Sequence, residues 1–280
     1  MRGPGLKTKA VANAKPILLI GAGRMGGALL AGWIKRKLAP IAIVEPRPSA
    51  ALLKRAKAAK IPVHASLADA PKDVRACVVA LKPQLLRTEA VHLRDIAESG
   101  ALMVSIAAGT SIASLTKAWG RKARIVRAMP NTPGAIGRGI SALYAPKKID
   151  EGERALADSL LAALGETVWV GREPLIDAAT AVSGSGPAYV FYMVEAMAEA
   201  GRAEGLPRDV AEKLARATVI GGGALLDADP RPAAELRQEV TSPGGTTEAA
   251  LKVLMSARGL KALMARAIAA ANKRAKQLSA

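Results

Sequence analysis

The chain has 280 residues, half of them hydrophobic and only 2% aromatic, with a formal net charge of +18. This length allows one large domain or two, with a sizeable core of mainly aliphatic side chains. The basic residues are scattered and lack the interleaved aromatic residues of a nucleic-acid-binding groove. We interpret them as a solvated surface that also attracts an anionic cofactor and substrate. No stretch is long and apolar enough to span a bilayer, so we expect neither a nucleic-acid partner nor a membrane.

Residues 1–14 are basic and lack the apolar core of a signal peptide, so we expect a disordered leader there, with a wrongly assigned start as the alternative. Cys77 is the single cysteine and lies in the apolar run Ala76–Leu81. It cannot form an internal disulfide, and we expect a buried free thiol. One cysteine fits a reducing compartment, and we expect a cytoplasmic protein.

A glycine-rich motif follows the first apolar run, Ile17–Ile20. Its glycines Gly21, Gly23 and Gly26 fit the pattern G-x-G-x-x-G and precede a helix predicted from Met25. The first glycine permits a tight turn, the second lets the backbone approach a pyrophosphate, and the third lets the helix pack on the strand. The start of the helix offers free N–H groups to an anion. The pattern predicts a dinucleotide site, although a purely structural strand-to-helix turn would look similar.

Strand-like and helix-like runs alternate from residue 15 to 172, which predicts a parallel, doubly wound Rossmann sheet. The predicted strands are Ile17–Ile20, Ile41–Val44, Pro62–Val63, Ala76–Ala80, Leu102–Ile106, Arg124–Val126, Ile140–Tyr144 and Thr167–Val170. The predicted helices begin at Met25, cover Ser49–Ala59, lie near Ser66–Ala70, begin at Pro83, follow a cap at Thr110 or Ser111, and cover Glu151–Leu164.

Residues 173–280 contain long helical stretches and no strand signal, which predicts a second, all-α domain. The predicted helices are Glu173–Val182, Pro187–Glu204, Arg208–Asp227, Pro232–Val240, Thr246–Ser256 and Leu260–Gln277. Their Ala- and Gly-rich faces are suited to close packing with each other or with a second subunit. We expect the basic tail Asn272–Lys276 to be frayed. The fold class is therefore α/β in residues 15–172 and all-α in residues 173–280.

Three loops of the first domain follow strand ends, where doubly wound sheets bind ligands. Lys82 stands before Pro83 and either contacts a cofactor or simply precedes a proline-initiated helix. Ala107 is small enough for a flat ring to lie against the backbone, but a tight turn would need small residues too. Asn131 lies between two prolines in a rigid loop.

Two loops of the helical domain are rich in Ser, Thr and Gly and precede helices: Ser183–Pro187 and Thr241–Thr247. Ser242 before Pro243 has the pattern of a helix cap followed by a first-turn proline. Hydroxyls, glycines and a helix start together form an anion cradle. Because no arginine lies in these loops, the pattern favours a small carboxylate over a phosphate, with two ordinary caps as the alternative.

The catalytic groups of several enzyme classes are missing from the sequence. No Cys/His cluster has the spacing of a metal site, and neither His64 nor His92 has a partner that suggests a triad. A general acid or base is not evident in the helical domain. An imine substrate fits this pattern, because a protonated C=N bond accepts hydride without an added acid.

With these loops, the chain resembles the pyrroline-5-carboxylate reductase family. The resemblance runs from about Ile17 to the helix that starts at Leu260, and its motifs occur in the family's order: GAGRMG, LKPQ, SIAAGTS, RAMPNTP, DAATAVSGSGPAYVF and VTSPGGTTEAAL. It implies reduction of 1-pyrroline-5-carboxylate to L-proline by NADP(H) or NAD(H), the final step of proline biosynthesis. It also implies a homodimer with interleaved helical domains, assembled further as a ring of dimers, a decamer.

The resemblance implies roles for individual residues. The cofactor would contact Gly21, Gly23, Arg24, Met25, Gly26, Glu45, Arg47, Leu81, Lys82, Pro83, Ala107 and Asn131. The substrate would contact Ser183, Gly184, Ser185, Gly186, Ser242, Gly244, Gly245, Thr246 and Thr247. Thr247 is the candidate catalytic residue, through a hydrogen bond to the ring nitrogen.

The cofactor preference and the substrate are left open by the residues. Glu45 favours NADH because it bonds ribose hydroxyls and repels a 2′-phosphate, whereas Arg47 and Arg24 are placed to receive that phosphate. One alternative is a β-hydroxyacid dehydrogenase type acting on another small carboxylate, which would require a catalytic lysine in the helical domain. A cofactor-binding regulator or nucleic-acid binder is a further alternative, and it would have no need of the two Ser/Thr/Gly-rich loops.

Overall fold

A computed structural model describes residues 15–38 and 40–279. The leader predicted for residues 1–14 lies outside the described residues. The chain divides into two compact units. The first contains the described residues up to Gly184 together with those from Asn272 onward, and the second is Ser185–Ala271.

The first unit is built on an eight-stranded sheet. Its strands are β1 (Ile17–Ile20), β2 (Ile41–Val44), β3 (Val63–His64), β4 (Ala76–Val79), β5 (Leu102–Ser105), β6 (Arg124–Met129), β7 (Gly139–Tyr144) and β8 (Gly165–Trp169). Their order is β3-β2-β1-β4-β5-β6-β7-β8, the first six as in a dinucleotide-binding fold. The predicted doubly wound sheet is confirmed.

One pair of strands departs from the predicted parallel arrangement, since β6 and β7 are antiparallel. The connection between them contains only the short 3₁₀ helix Thr132–Ile136. A parallel pairing needs a crossover of a dozen residues or more, and this connection is too short for one.

Among the described residues, seven helices belong wholly to this unit: α1 (Arg24–Lys35), α2 (Ala50–Ala58), α3 (Pro83–Glu89), α4 (Arg94–Glu98), α5 (Ile112–Trp119), α6 (Glu151–Leu161) and α7 (Pro174–Ala179). A 3₁₀ helix, Ala90–Leu93, joins α3 to α4, and a π-helical turn, Thr180–Gly184, follows α7. The helix predicted near Ser66–Ala70 is wrong. A turn is found there instead, in which the Ser66 hydroxyl donates to Asp69 at 2.7 Å and competes with helical pairing.

Hydrophobic cores lie on both faces of the sheet because its central strands are buried on both sides. One core contains Trp33 and the other contains Trp119, and each indole N–H donates to a backbone carbonyl, of Leu160 at 2.7 Å and of Ala90 at 2.9 Å respectively. Cys77 is fully buried in the second core, as predicted, and burial raises the pKa of its thiol. The two cores fix the strand ends, and therefore the loops that follow them.

Five helices follow: α8 (Gly186–Ala203), α9 (Arg208–Ala228), α10 (Ala233–Glu239), α11 (Thr246–Leu254) and α12 (Leu260–Ser279). In the described second unit only Ala198, Ala211 and Ala215 are buried. Large apolar side chains remain exposed, among them Tyr192 at 70% and Ile220 at 63%. No helix within residues 15–38 and 40–279 has the length and hydropathy needed to cross a bilayer.

The end of α12 contradicts the predicted frayed tail. The helix continues to Ser279, whose hydroxyl donates to Asp177 at 3.0 Å. This contact places the tail in the first unit. The predicted domain boundary after residue 172 stays a prediction, while the contacts within the chain divide it between Gly184 and Ser185 because α7 packs on β6 and β7.

Candidate active site

The glycine-rich loop between β1 and α1 has a different constraint at each glycine. Gly21 has φ +86, and a Cβ atom added there would lie 2.9 Å from the carbonyl oxygen of Ala80. A Cβ on Gly26 would collide with the carbonyl oxygen of Gly21. A Cβ on Gly23 would meet nothing within 4 Å. The first and third glycines therefore allow close packing, and the second faces open space that a ligand can fill.

The start of α1 has no internal cap. Gly23 is the N-cap residue, no side chain in the described part of the chain accepts from the first turn, and that turn contains no acidic residue. The first N–H groups of a helix have no partner within the helix. Together with the space at Gly23, they form a receptor for an anionic group such as a pyrophosphate.

A cavity of about 600 Å³ lies at the carboxyl ends of β1, β2 and β4. Its lining includes six of the predicted cofactor residues: Gly21, Gly23, Glu45, Arg47, Leu81 and Lys82. Arg24, Met25, Gly26, Pro83, Ala107 and Asn131 are not part of this lining. Sequence reasoning missed Ser66, Leu67, Leu85, Glu89 and His92. Ser66 and Leu67 follow β3 closely, so the rule that ligands bind at strand ends would have found them.

The Glu45 carboxylate is held at the cavity by two backbone amides. One oxygen accepts from Ala22 N at 2.8 Å and the other accepts from Arg47 N at 3.2 Å. The side chain therefore joins the end of β2 to the glycine-rich loop. Each carboxylate oxygen keeps further acceptor capacity for hydroxyl groups in the cavity.

Lys82 precedes a proline-initiated helix, as one interpretation of its motif predicts, and the cofactor contact stays a prediction. It is the N-cap residue of α3, with Pro83 as the first helical residue, and it also lines the cavity. Its ammonium group forms no ion pair with any residue that the structure describes. A positive charge is therefore available at the cavity wall.

The loop after β5 is tightly held. Ala107 is buried, and the Ser111 hydroxyl caps α5 by accepting from Ser114 N at 3.2 Å. Of the two predicted caps, Thr110 and Ser111, the structure selects the second. Gly109 has φ +63, so the turn requires a left-handed residue.

The side-chain amide of Asn131 is hydrogen-bonded to backbone groups at both ends. Its Oδ1 accepts from Ile140 N at 3.0 Å, and its Nδ2 donates to the carbonyl oxygen of Ser183 at 3.2 Å. A Cβ atom on Gly184 would lie 2.9 Å from Cε of Met129. The loop after β6 and the turn at Ser183 are therefore packed together within the first unit.

The Ser183–Pro187 loop is a π-helical turn followed by the start of α8. The Ser183 hydroxyl donates to the Ala179 carbonyl at 2.9 Å, so it serves the preceding turn. Ser185 is the N-cap residue of α8 but makes no side-chain capping bond, and Gly186 is the first helical residue.

The Thr241–Thr247 loop corrects the predicted cap at Ser242. The N-cap residue of α11 is Gly245, and the helix begins at Thr246. Gly244 has φ +70, and its N–H donates to Glu248 Oε2 at 2.7 Å. The reason for the difference is a turn closed by the Gly245 N–H on the Ser242 carbonyl at 3.0 Å, which delays the helix.

Hydroxyl groups remain available in this loop. Among the described residues, those of Ser242, Thr246 and Thr247 form no hydrogen bond. Thr247 is half-buried and lies in the first turn of α11, a nine-residue helix. Free hydroxyls beside uncapped N–H groups can hold a carboxylate.

An ion-paired segment precedes α10 in the second unit. The Arg231 guanidinium donates to Asp229 and to Glu239, each at 2.7 Å. The hydrogen bonds from Arg231 hold the pKa of the Asp229 carboxyl below its usual value. No group of three or more His, Cys, Asp or Glu residues within the described ranges is arranged to hold a metal ion.

The fold and the glycine-rich cavity define an NAD(P)-dependent oxidoreductase with a helical second part. Residues 16–109 match the family described as NADP oxidoreductase coenzyme F420-dependent. Residues 173–278 match the family described as pyrroline-5-carboxylate reductase dimerisation, which implies a homo-oligomer.

Similar proteins narrow this class to one family. Pyrroline-5-carboxylate reductase of Pseudomonas aeruginosa is 40% identical over 266 residues, which cover 94% of this chain and 96% of that enzyme. The structure of a Coxiella burnetii pyrroline-5-carboxylate reductase is 36% identical, with a TM-score of 0.88, and the match covers 96% of this chain and 100% of that one. The Plasmodium falciparum pyrroline carboxylate reductase, solved with NADP bound, is 25% identical with a TM-score of 0.79, over 95% and 98% of the two chains. The chain belongs to the pyrroline-5-carboxylate reductase family, and the resemblance of its motifs is confirmed.

Proposed function

We propose that this chain reduces 1-pyrroline-5-carboxylate to L-proline with NAD(P)H, the last step of proline biosynthesis. The observation that carries the proposal is the Thr241–Thr247 loop, where the hydroxyls of Ser242, Thr246 and Thr247 have no hydrogen-bond partner among the described residues and lie at a helix start without a side-chain cap. In a chain of this family, that loop is suited to the carboxylate and ring nitrogen of the substrate. The single buried cysteine fits a cytoplasmic enzyme.

The first unit has the features that a dinucleotide requires. Gly21 and Gly26 shape the turn, the open space at Gly23 admits a pyrophosphate, and Arg24 and Met25 begin the helix that faces it. Glu45 and Arg47 lie at the ribose end of the cavity, with Leu81, Lys82, Pro83, Ala107 and Asn131 assigned to the nicotinamide half. The Plasmodium relative binds NADP, which supports NAD(P)H as the cofactor here.

The substrate is assigned to Ser242, Gly244, Gly245, Thr246 and Thr247, and to the loop of Ser183, Gly184, Ser185 and Gly186. NAD(P)H, when bound, supplies a hydride for the imine carbon. The protonated C=N bond is already electrophilic, so the residues need to hold the ring and not to protonate it. Thr247 is the candidate catalytic residue because its hydroxyl oxygen can accept the N–H of the protonated ring nitrogen. Ser183 would contact the substrate through its backbone groups, since its hydroxyl donates to the carbonyl oxygen of Ala179.

The proposal is tested by measuring NAD(P)H oxidation by the purified chain with and without 1-pyrroline-5-carboxylate. We expect oxidation only when the imine acid is present, and formation of one L-proline for each cofactor consumed. A folded chain that binds NAD(P)H but gives no turnover with this substrate would contradict the proposal.

Glu45 should set the cofactor preference. Its carboxylate is held at 2.8 Å from Ala22 N, so a 2′-phosphate entering the cavity would meet a fixed negative charge. We expect Glu45→Ser to raise kcat/KM for NADPH relative to NADH by about tenfold, because the repulsion is removed. Kinetics with both cofactors measure this ratio.

Glu166→Ser, on the exposed edge of β8, is the matched control and should leave the ratio of kcat/KM values unchanged. An unchanged ratio in Glu45→Ser would assign the preference to Arg47 and Arg24.

The homo-oligomer is proposed to be a dimer formed through the helical part, with further assembly as a ring of dimers, a decamer. Support comes from the exposed apolar side chains of α9 and from Gly221–Gly223, where an added Cβ would meet nothing within 4 Å. Exposed large apolar side chains grouped on one helix are typical of a protein–protein interface.

Negative charges introduced on α9 by substitution should dissociate the oligomer. Ile220 and Leu225 are each 63% exposed in the single chain. We expect Ile220→Glu combined with Leu225→Glu to shift the molar mass in solution to that of a monomer, because two carboxylates would be buried without partners. Light scattering measures the mass. The control is Ile136→Glu in the first unit, where Ile136 is 80% exposed, and it should leave the mass unchanged.

A further inference from the structure

The end of α12 lies against the loop that follows β5. A Cβ atom built on Gly109 would be 2.9 Å from both the Cβ and the carbonyl oxygen of Leu278. Gly109 also has φ +63, so a side chain there would be strained as well as obstructed. The loop containing Ala107 is therefore packed directly beneath the last turn of α12, within the first unit.

A buried arginine holds this last turn in place. Arg127, on β6, is 3% exposed. Its Nη2 donates to Asp177 Oδ1 at 3.0 Å and to the Ser279 hydroxyl at 3.2 Å, and that hydroxyl donates to the same Asp177 oxygen at 3.0 Å. The three groups form a closed set of hydrogen bonds.

The same guanidinium also reaches the other end of the loop. Arg127 Nη1 donates to Glu173 Oε1 at 3.0 Å, and that oxygen accepts from Ile112 N at 2.7 Å. Ile112 is the first residue of α5 and follows the loop directly. Arg127 is therefore bonded directly to Ser279 at the end of α12 and, through Glu173, to Ile112 after the loop.

The charges of Arg127 and Asp177 are buried, so both depend on the hydrogen bonds around them. A buried ion that loses a hydrogen-bonding partner is left with an uncompensated charge or an unsatisfied atom. The guanidinium presents its donors in a fixed fork, which suits two carboxylates and one hydroxyl at once. Removing the Ser279 hydroxyl therefore takes one hydrogen bond from Arg127 and one from Asp177, and weakens the hold on the last turn of α12.

We propose that Ser279 is a positioning residue that, through Arg127 and Leu278, holds the loop Ala107–Gly109 in the shape that receives the nicotinamide half of the cofactor. It does not touch the reacting atoms. The proposal rests on the proposed NAD(P)H site of the first unit, and it adds a role for a residue far along the chain from that site.

The test compares Ser279→Ala with Ser279→Thr and with a chain that ends at Gln277. The dissociation constant for NADPH is measured by calorimetry, and KM and kcat are measured for each substrate. We expect Ser279→Ala and the shortened chain to raise the dissociation constant and the KM for NADPH about three- to tenfold, with the KM for 1-pyrroline-5-carboxylate unchanged. Ser279→Thr keeps the hydroxyl and should restore wild-type binding.

Lys276→Ala is the matched control, since Lys276 is exposed on the same helical end. It should leave NADPH binding unchanged. Unaltered NADPH binding in Ser279→Ala, with or without a lower melting temperature, would overturn the proposal. Because binding is measured without turnover, a wild-type chain that binds NADPH but does not reduce 1-pyrroline-5-carboxylate would contradict the proposed function and leave this inference standing.

Discussion

Gly23→Val is expected to reduce the affinity for NAD(P)H by roughly a hundredfold while leaving the fold intact. Gly23 has φ −65, outside the left-handed region, and its added Cβ would meet no atom within 4 Å. The new side chain would fill the space that the pyrophosphate needs. Calorimetric titration with NADPH measures the loss, and the melting temperature shows whether the fold is retained.

Gly26→Val is the matched comparison because it lies in the same loop but faces protein. Its Cβ would collide with the Gly21 carbonyl oxygen and lie 3.2 Å from Cβ of Ala80. We expect it to destabilise the chain by about 2–3 kcal/mol, the usual cost of forcing a side chain into a packed site. Wild-type affinity in Gly23→Val would refute the placement of the pyrophosphate, as would equal destabilisation by both substitutions.

Thr247→Ala is expected to lower kcat/KM for 1-pyrroline-5-carboxylate by about 10–100-fold, with the KM for NADPH within about twofold of wild type. The hydroxyl of Thr247 makes no hydrogen bond among the described residues, so its removal leaves no partner unsatisfied in the free protein. The loss should therefore arise from contact with the substrate. Steady-state kinetics with each substrate varied in turn separate the two effects.

Two further variants make this result specific. Thr247→Val keeps the shape without the hydroxyl and should match Thr247→Ala, whereas Thr247→Ser keeps the hydroxyl and should retain most activity. If Thr247→Ala impaired the use of substrate and of cofactor equally, the hydrogen bond to the substrate nitrogen would belong to another residue. Ser242 and Thr246 would be the next candidates.

The strands β1, β2 and β4 were predictable because each is buried along its whole length and has an unbroken apolar sequence. Ile17–Ile20 and Ile41–Val44 were predicted with their observed limits. The glycine-rich turn was predictable from its spacing, because the space at Gly26 is limited by the carbonyl oxygen of Gly21 in the same loop. The space at Gly21 is limited by Ala80, directly after β4. The burial of Cys77 was predictable from the apolar strand that contains it.

Contacts between distant parts of the chain were not predictable. Arg127 appeared in the sequence only as part of the RAMPNTP motif, and nothing local indicated its bonds to Asp177 and Ser279. Asn131 was assigned to a cofactor contact, but its amide bonds Ile140 and Ser183 in the structure. The false cap at Ser242 arose because Ser-Pro is a common helix start, while Gly244 with φ +70 supplies a competing turn.

The reaction proposed for this chain is the transfer of hydride from NAD(P)H to the C=N carbon of 1-pyrroline-5-carboxylate. The most direct measurement uses a cofactor that carries deuterium at the transferred position and examines the product by mass spectrometry and NMR. We predict L-proline with one deuterium on the ring carbon that was double-bonded to nitrogen. Unlabelled proline, or no proline from a chain that binds the cofactor, would contradict the proposed reaction.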